Sequence, residues 1–128
     1  MTTLLVCLFI VLLIPYLAKL PLGKAMNKLG GYDNHNPRTQ QAKLEGFGAR
    51  ALAAHQNSFE ALSVFSAVIL AAIATQHTTF FVQVLAIVYV VSRVGYHIFY
   101  LMDLATFRSL AWFLGYICCL TILGQCIF

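Results

Sequence analysis

Long apolar stretches alternate with short polar ones along this chain. Met1 to Ala18 carries no charged side chain, and its leucines, isoleucines and valines approach the ~20 mostly apolar residues that a membrane-spanning helix needs. From Lys19 to Glu45 the pattern turns polar, with Gly30-Gly31, Asn34, Asn36 and Pro37 supplying turn chemistry. This predicts a sizeable loop with a helical turn around Leu22 to Leu29. Between Glu60 and Arg93 lie 32 residues without a formal charge, too many for one helix across a bilayer. Thr75-Gln76-His77-Thr78 is the polar interruption in that run, so a tight turn is expected there. A final run of 20 uncharged residues follows Arg108. The pattern predicts four spanning helices, about 1–20, 47–75, 79–102 and 107–127, in one all-α domain covering 1–128 with both termini on one side. No internal repeat or low-complexity segment is visible.

Composition agrees with a membrane bundle and removes the alternatives. The chain is 61% hydrophobic with a mean hydropathy of +0.84, and 9% of its residues are charged, against about 25% in an ordinary soluble domain. A small soluble domain buries too little of its surface to hide that much apolar area, and disorder needs the opposite composition. No basic residue precedes the first apolar run and no A-x-A site follows it, so it does not read as a cleaved signal peptide. The net charge of +4 is explained by its distribution. Lys19, Lys24, Lys28, Arg38 and Lys43 fall in the first loop, and Arg108 opens the fourth helix on the same side. The positive-inside rule places the first and third loops in the cytoplasm and both termini outside. Nucleic acid is not an expected partner, because these loop cations are spread out with Asp33 among them. Cys7, Cys118, Cys119 and Cys126 lie in apolar runs without metal or redox spacing and read as small packing residues. His35 reads as a loop residue and His77 as part of the turn; no metal site is expected.

Ionisable residues inside a span are expensive and usually face the bundle interior. Arg50, Asn57 and Glu60 fall within an arc of about 80° on the second helix, while His55 points about 140° away from Arg50. On the third helix Arg93, Tyr96, His97, Tyr100 and Asp103 fall within about 120°. Glu60 precedes Gln76 by 16 residues and Arg93 follows His77 by 16. Both therefore sit roughly 24 Å from the turn, and Glu60 and Arg93 are expected to approach each other within one subunit. Such a group can glue helices together. It can equally form an anion-recognising pocket in which Arg50, Arg93 and Arg108 hold carboxylates, Asn57 and Glu60 hold an amine, and Tyr96 and Tyr100 donate hydroxyls. A small zwitterion with several carboxylates would suit that set. The aromatics of the last two helices, among them Phe80, Tyr89, Trp112 and Tyr116, are read mostly as lipid-facing or interfacial.

The segment Arg50-Ala-Leu-Ala-Ala-His55-Gln-Asn57-Ser-Phe-Glu60 resembles the second-helix signature of the MAPEG family, the membrane-associated proteins in eicosanoid and glutathione metabolism. Arg50, Ala54, His55, Asn57 and Glu60 match E-R-x-x-R-A-[HQ]-x-N-x-x-E in register. Arg93-Val-Gly-Tyr96-His-Ile-Phe-Tyr100 resembles the family's R-x-x-Y-x-x-x-Y pattern, and Arg108 resembles its thiolate-activating arginine. The resemblance covers nearly the whole chain. It implies a homotrimer of four-helix subunits with glutathione bound between them near the cytoplasmic face. By the same resemblance Asn57 and Glu60 would hold the glutathione backbone and amine, and Arg93, Tyr96 and Tyr100 the carboxylates or neighbouring groups. Arg108 would lower the thiol pKa by placing a fixed positive charge beside the thiolate. Lipophilic electrophiles or lipid hydroperoxides would be the second substrate. The likeness is to the bacterial branch, which implies the inner membrane. Three positions depart from the pattern: Ala49 and Ala53 replace its glutamate and second arginine, and Ala61 replaces a tyrosine of some members.

Three function classes follow. The first is a glutathione-dependent transferase or peroxidase. The second is a non-catalytic protein of the same fold that binds another small anion or lipid, which the alanine replacements favour. The third is a four-span transporter. The first helix has no acidic residue of the kind compact multidrug exporters need, which argues against that class.

Overall fold

The computed structural model describes residues 1–128. Five helices follow in order: α1 (Thr2–Asn27), α2 (Pro37–Gln41), α3 (Phe47–Ala74), α4 (Phe80–Leu101) and α5 (Ala105–Ile127). All but α2 are long and apolar enough to cross a membrane. The chain is an all-α, integral, multi-pass membrane protein. α1 continues to Asn27, past the end expected near residue 20, with Pro15 and Pro21 inside it. At about 1.5 Å per residue it runs about 39 Å, and α3 about 42 Å, against a hydrocarbon core of about 30 Å. Both therefore project past the core at the end of the bundle that carries the basic loop.

Helix ends are set by local chemistry. The Thr79 hydroxyl accepts from the Val82 N–H at 3.3 Å and caps α4. α3 and α4 both end in Schellman turns. The His77 N–H reaches the Ala72 carbonyl and the Leu104 N–H the Phe99 carbonyl, each at 2.9 Å. The left-handed residue in these turns is Gln76 (φ 61°) in one and Asp103 (φ 60°) in the other, where glycine would be the unstrained choice. The first loop is tied by Gln40, which is buried. Its Nε2 donates to the Met26 and Gly31 carbonyls at 3.1 and 2.6 Å, and its Oε1 accepts from the Asp33 N–H at 3.0 Å.

α1 packs on α3 and α4 on α5, and the two pairs join through α3 against α4 and α5 and α1 against α4. The main apolar core joins all four spans: Leu4, Cys7 and Val11 of α1, Phe65, Val68, Ile69 and Ala72 of α3, Val82, Ala86 and Tyr89 of α4, Cys118, Cys119 and Ile122 of α5. It fills the half of the bundle remote from the basic loop. At the basic end only a small cluster of Leu22, Met26 and Ala51 is apolar, and polar side chains occupy the space between. Lipid tails are as apolar as leucine, so close van der Waals packing rather than burial from water holds such helices together. Small residues mark the close approaches. A Cβ on Gly115 would stand 2.8 Å from the Ser92 Oγ and 3.4 Å from the Tyr89 ring.

Candidate functional site

Between the apolar core and the basic loop, side chains of α3, α4 and α5 form one connected chain. Asn57 Nδ2 donates to Glu60 Oε2 at 3.0 Å, and Arg93 Nη2 donates to Asn57 Oδ1. The Arg93 guanidinium lies over the Tyr96 ring at 4.2 Å. Tyr96 meets Tyr100 edge-on, with centroids 5.5 Å apart, and Arg108 lies over the Tyr100 ring at 4.4 Å. The helix repeat explains this ladder: residues 93, 96 and 100 are three and four apart and stack along one face of α4. Each aromatic face receives a cation, an arrangement that stabilises more as water is excluded.

Six of the seven expected site residues, Asn57, Glu60, Arg93, Tyr96, Tyr100 and Arg108, belong to this chain. Arg50 does not. Its Nη1 lies 3.8 Å from Asp103 Oδ2 in the α4–α5 turn, and its Nε is buried without a partner. Sharing a helix face with Asn57 was not enough, because seven residues separate the two by about 10.5 Å along the axis. Arg50 therefore does not take the place of the arginine that Ala53 replaces. The expected approach of Glu60 to Arg93 is also more indirect than a simple pair. The two belong to one network bridged by Asn57, and Arg50–Asp103 is the only ion pair in the chain. His55 faces α1 instead, with Nδ1 2.9 Å from the Pro15 carbonyl, as its different arc required.

Arg93 is 3% exposed, its Nε is buried without a partner, and its side chain borders an open space. That space is a cleft of about 190 Å³. Asn57, Glu60 and Arg93 form its polar end; Val64, Tyr89, Trp112, Tyr116 and Cys119 form its apolar wall. The wall is the part the sequence reading missed. Trp112, Tyr116 and Cys119 are spaced four and three apart and so share one stripe of α5, but periodicity alone did not separate that stripe from a lipid-facing belt. The Trp112 and Tyr116 rings stack with centroids 5.4 Å apart. Tyr89 is buried rather than lipid-facing; it stacks on Phe65 at 4.1 Å and donates its hydroxyl to the Ala61 carbonyl at 2.9 Å.

The model of the MAPEG family matches residues 3–128. The chain belongs to the MAPEG family. No curated protein and no solved structure matches it. The match spans all four membrane-spanning helices of this MAPEG chain, so the signature residues of α3, the arginine–tyrosine ladder of α4 and Arg108 of α5 are read within one family framework. MAPEG membership includes glutathione transferases and peroxidases as well as other members.

Proposed function

We propose that this MAPEG protein is a glutathione-dependent membrane transferase or peroxidase acting on lipophilic electrophiles. The observation that carries the reading is the unbroken chain from Glu60 to Arg108. It offers a carboxylate for an amine, an arginine lining the cleft for a carboxylate, and a second arginine for a thiolate. Glu60 and Asn57 hold the α-amino end of glutathione, and Arg93 faces a carboxylate. Tyr96 and Tyr100 fix both guanidinium groups by stacking. Arg108 stabilises the thiolate by charge. The thiol proton leaves to water, and the thiolate then forms a C–S bond to the electrophilic carbon as a leaving group departs with its electron pair, or as the electrons of an adjacent double bond shift away and are protonated by water. A second substrate dissolved in lipid approaches along Trp112 and Tyr116.

One chain does not complete such a site. Its cleft of about 190 Å³ is below the ~300–1,000 Å³ of ordinary ligand pockets, and Glu60 is exposed at a depth where lipid would surround it. Assembly of three copies supplies the missing wall and covers that carboxylate. In this reading the basic loop lies in the cytoplasm and the termini outside.

Calorimetry of the purified protein with glutathione, and with its thiol-less analogue ophthalmic acid, tests the proposal. Both should bind, and Glu60→Gln should abolish both. Arg108→Ala should spare binding while eliminating the ultraviolet thiolate signal and turnover. Absence of binding at millimolar glutathione would overturn it. One observation favours a second reading, a family member that binds another anion without catalysis: Arg50 turns to Asp103 and leaves the Ala53 position without an arginine substitute. Absence of glutathione and ophthalmic acid binding, with saturable binding of another small anion, would mark that outcome.

A further inference from the structure

A second opening lies on the other side of α4 from the Glu60–Arg108 chain. It is a groove of about 460 Å³ between α4 and α5. Its lining positions on α4 centre roughly 130° around the helix from Arg93, Tyr96 and Tyr100, so it is separate from the cleft. Ser92 and Ala111 are buried and form its floor with Gly95, while Val91, Leu110 and Leu114 stand exposed along its rims. Phe99 and Phe107, with ring centroids 5.6 Å apart, stand at the end nearest the α4–α5 turn. Ser92 is the only polar side chain in the lining. Its hydroxyl donates to the Tyr89 carbonyl at 2.7 Å, so its proton is already used. No charged group lines the groove.

Gly95 holds this space open at a cost to the helix. A glycine inside a helix lowers its stability, and the packing of the chain supplies no reason for one here. A Cβ at position 95 would meet only the Phe99 ring, at 3.5 Å, an ordinary contact. At Gly115 the same addition would stand 2.8 Å from the Ser92 Oγ. The volume that a side chain at 95 would take is the groove itself. Depth and length narrow the occupant. From Ile87 to Phe99 the groove runs about 18 Å along α4, beginning about 11 Å and ending about 29 Å from the start of the helix at Phe80. Most of it therefore lies in one half of a hydrocarbon core of about 30 Å, the leaflet on the side of the basic loop, whose acyl chains span about 15 Å. A spanning helix of another copy would need a face along the whole of α4 and α5. The exposed polar side chains that call for such a copy, Glu60 among them, stand on α3 instead.

We infer that this groove binds one acyl chain of a bilayer phospholipid from that leaflet, selected by the length of the chain and not by the headgroup. Close van der Waals contact along the floor is what distinguishes the bound chain from its neighbours in the bilayer. Trp112 is the only tryptophan, so Trp112→Phe gives a silent background for a reporter. Leu114→Trp places the reporter on the groove rim. Val94→Trp places it on an exposed apolar part of α4 outside the groove, within about 3 Å of the same depth. Each variant is reconstituted in dimyristoleoyl phosphatidylcholine with increasing amounts of dibromostearoyl phosphatidylcholine, whose bromines quench a tryptophan they touch. Quenching at Val94→Trp should follow the bulk mole fraction. At Leu114→Trp it should reach half its maximum at an about fivefold lower fraction. Dibromostearoyl phosphatidylglycerol should give the same curve at Leu114→Trp within about twofold, since no charge lines the groove. Gly95→Leu and Ala111→Leu, each of which fills the floor, should return the Leu114→Trp curve to that of Val94→Trp. Identical curves at the two reporters, a preference that survives both fillings, or one set by the headgroup would overturn the assignment. Absence of quenching at Leu114→Trp would overturn it too, because another copy of the chain would then cover the groove.

Discussion

At the scale of single residues, Asn57 is the joint of the polar chain, because its amide both accepts from Arg93 and donates to Glu60. Replacing it with leucine fills the space while leaving a guanidinium that is 3% exposed without that acceptor. An unsatisfied buried charge-assisted donor costs about 2–3 kcal/mol. Asn57→Leu is therefore expected to lower the unfolding temperature in detergent clearly, whereas Tyr89→Phe, which removes one neutral hydrogen bond to Ala61, should cost about 1 kcal/mol. Equal stability of Asn57→Leu and the parent would mean that Arg93 finds another partner. Gln76 gives the opposite sign. It holds φ 61° at the end of α3, a region that costs a side chain about 1 kcal/mol, so Gln76→Gly should raise the unfolding temperature slightly despite greater freedom in the unfolded chain.

At the scale of helices, α4 and α5 approach closely where Gly115 meets Ser92. An alanine there gains about 1 kcal/mol of helix propensity but places its Cβ 2.8 Å from the Ser92 Oγ, and overpacking costs about 1–3 kcal/mol. Gly115→Ala should therefore be neutral to destabilising in the parent and become stabilising beside Ser92→Ala, a sign change that a thermal-melt double-mutant cycle reads directly. A loss of the same size in both backgrounds would place the clash on the Tyr89 ring instead. Four spans were legible from hydropathy because charge is absent from most of each helix and returns at its ends. The extra length of α1 was not, because the pattern turns polar at Lys19, while in the structure Lys19 and Pro21 both sit inside a helix that leaves the hydrocarbon core before it ends. Nor was the tie made by Gln40 legible, since an amide that gathers Met26, Gly31 and Asp33 depends on the path of the loop. The candidate site was legible as far as helix faces go. Tyr96 and Tyr100 follow Arg93 at helical spacing, but Arg50 shares a face with Asn57 and not its depth, so its partner became Asp103.

At the scale of the whole molecule, the decisive feature is what one chain leaves uncovered. Each spanning helix is only about a quarter to a third buried, as expected for helices against lipid, yet the open stripe of α3 is not apolar throughout. Gln56, Glu60 and Ser63 are all exposed on it, and a carboxylate facing hydrocarbon costs a few kcal/mol even by insertion scales. Another copy of the chain covers that cost if the same stripes meet, and the small Ser63 and Ala67 beside them permit close approach. A cysteine at Ser63 should then form disulfide-linked species between copies when membranes are oxidised. A cysteine at Val91, which is 65% exposed on α4 amid apolar neighbours, should not. The four native cysteines provide the background, since three are buried and Cys126 is half-buried. Linkage through Val91 but not Ser63 would move the contact to α4 and leave Glu60 facing lipid or water, and the reading of the cleft as a site completed by a second chain would fall with it. Linkage through Ser63, together with a particle mass of three chains in detergent, would give the polar stripe of α3 the role its exposure requires.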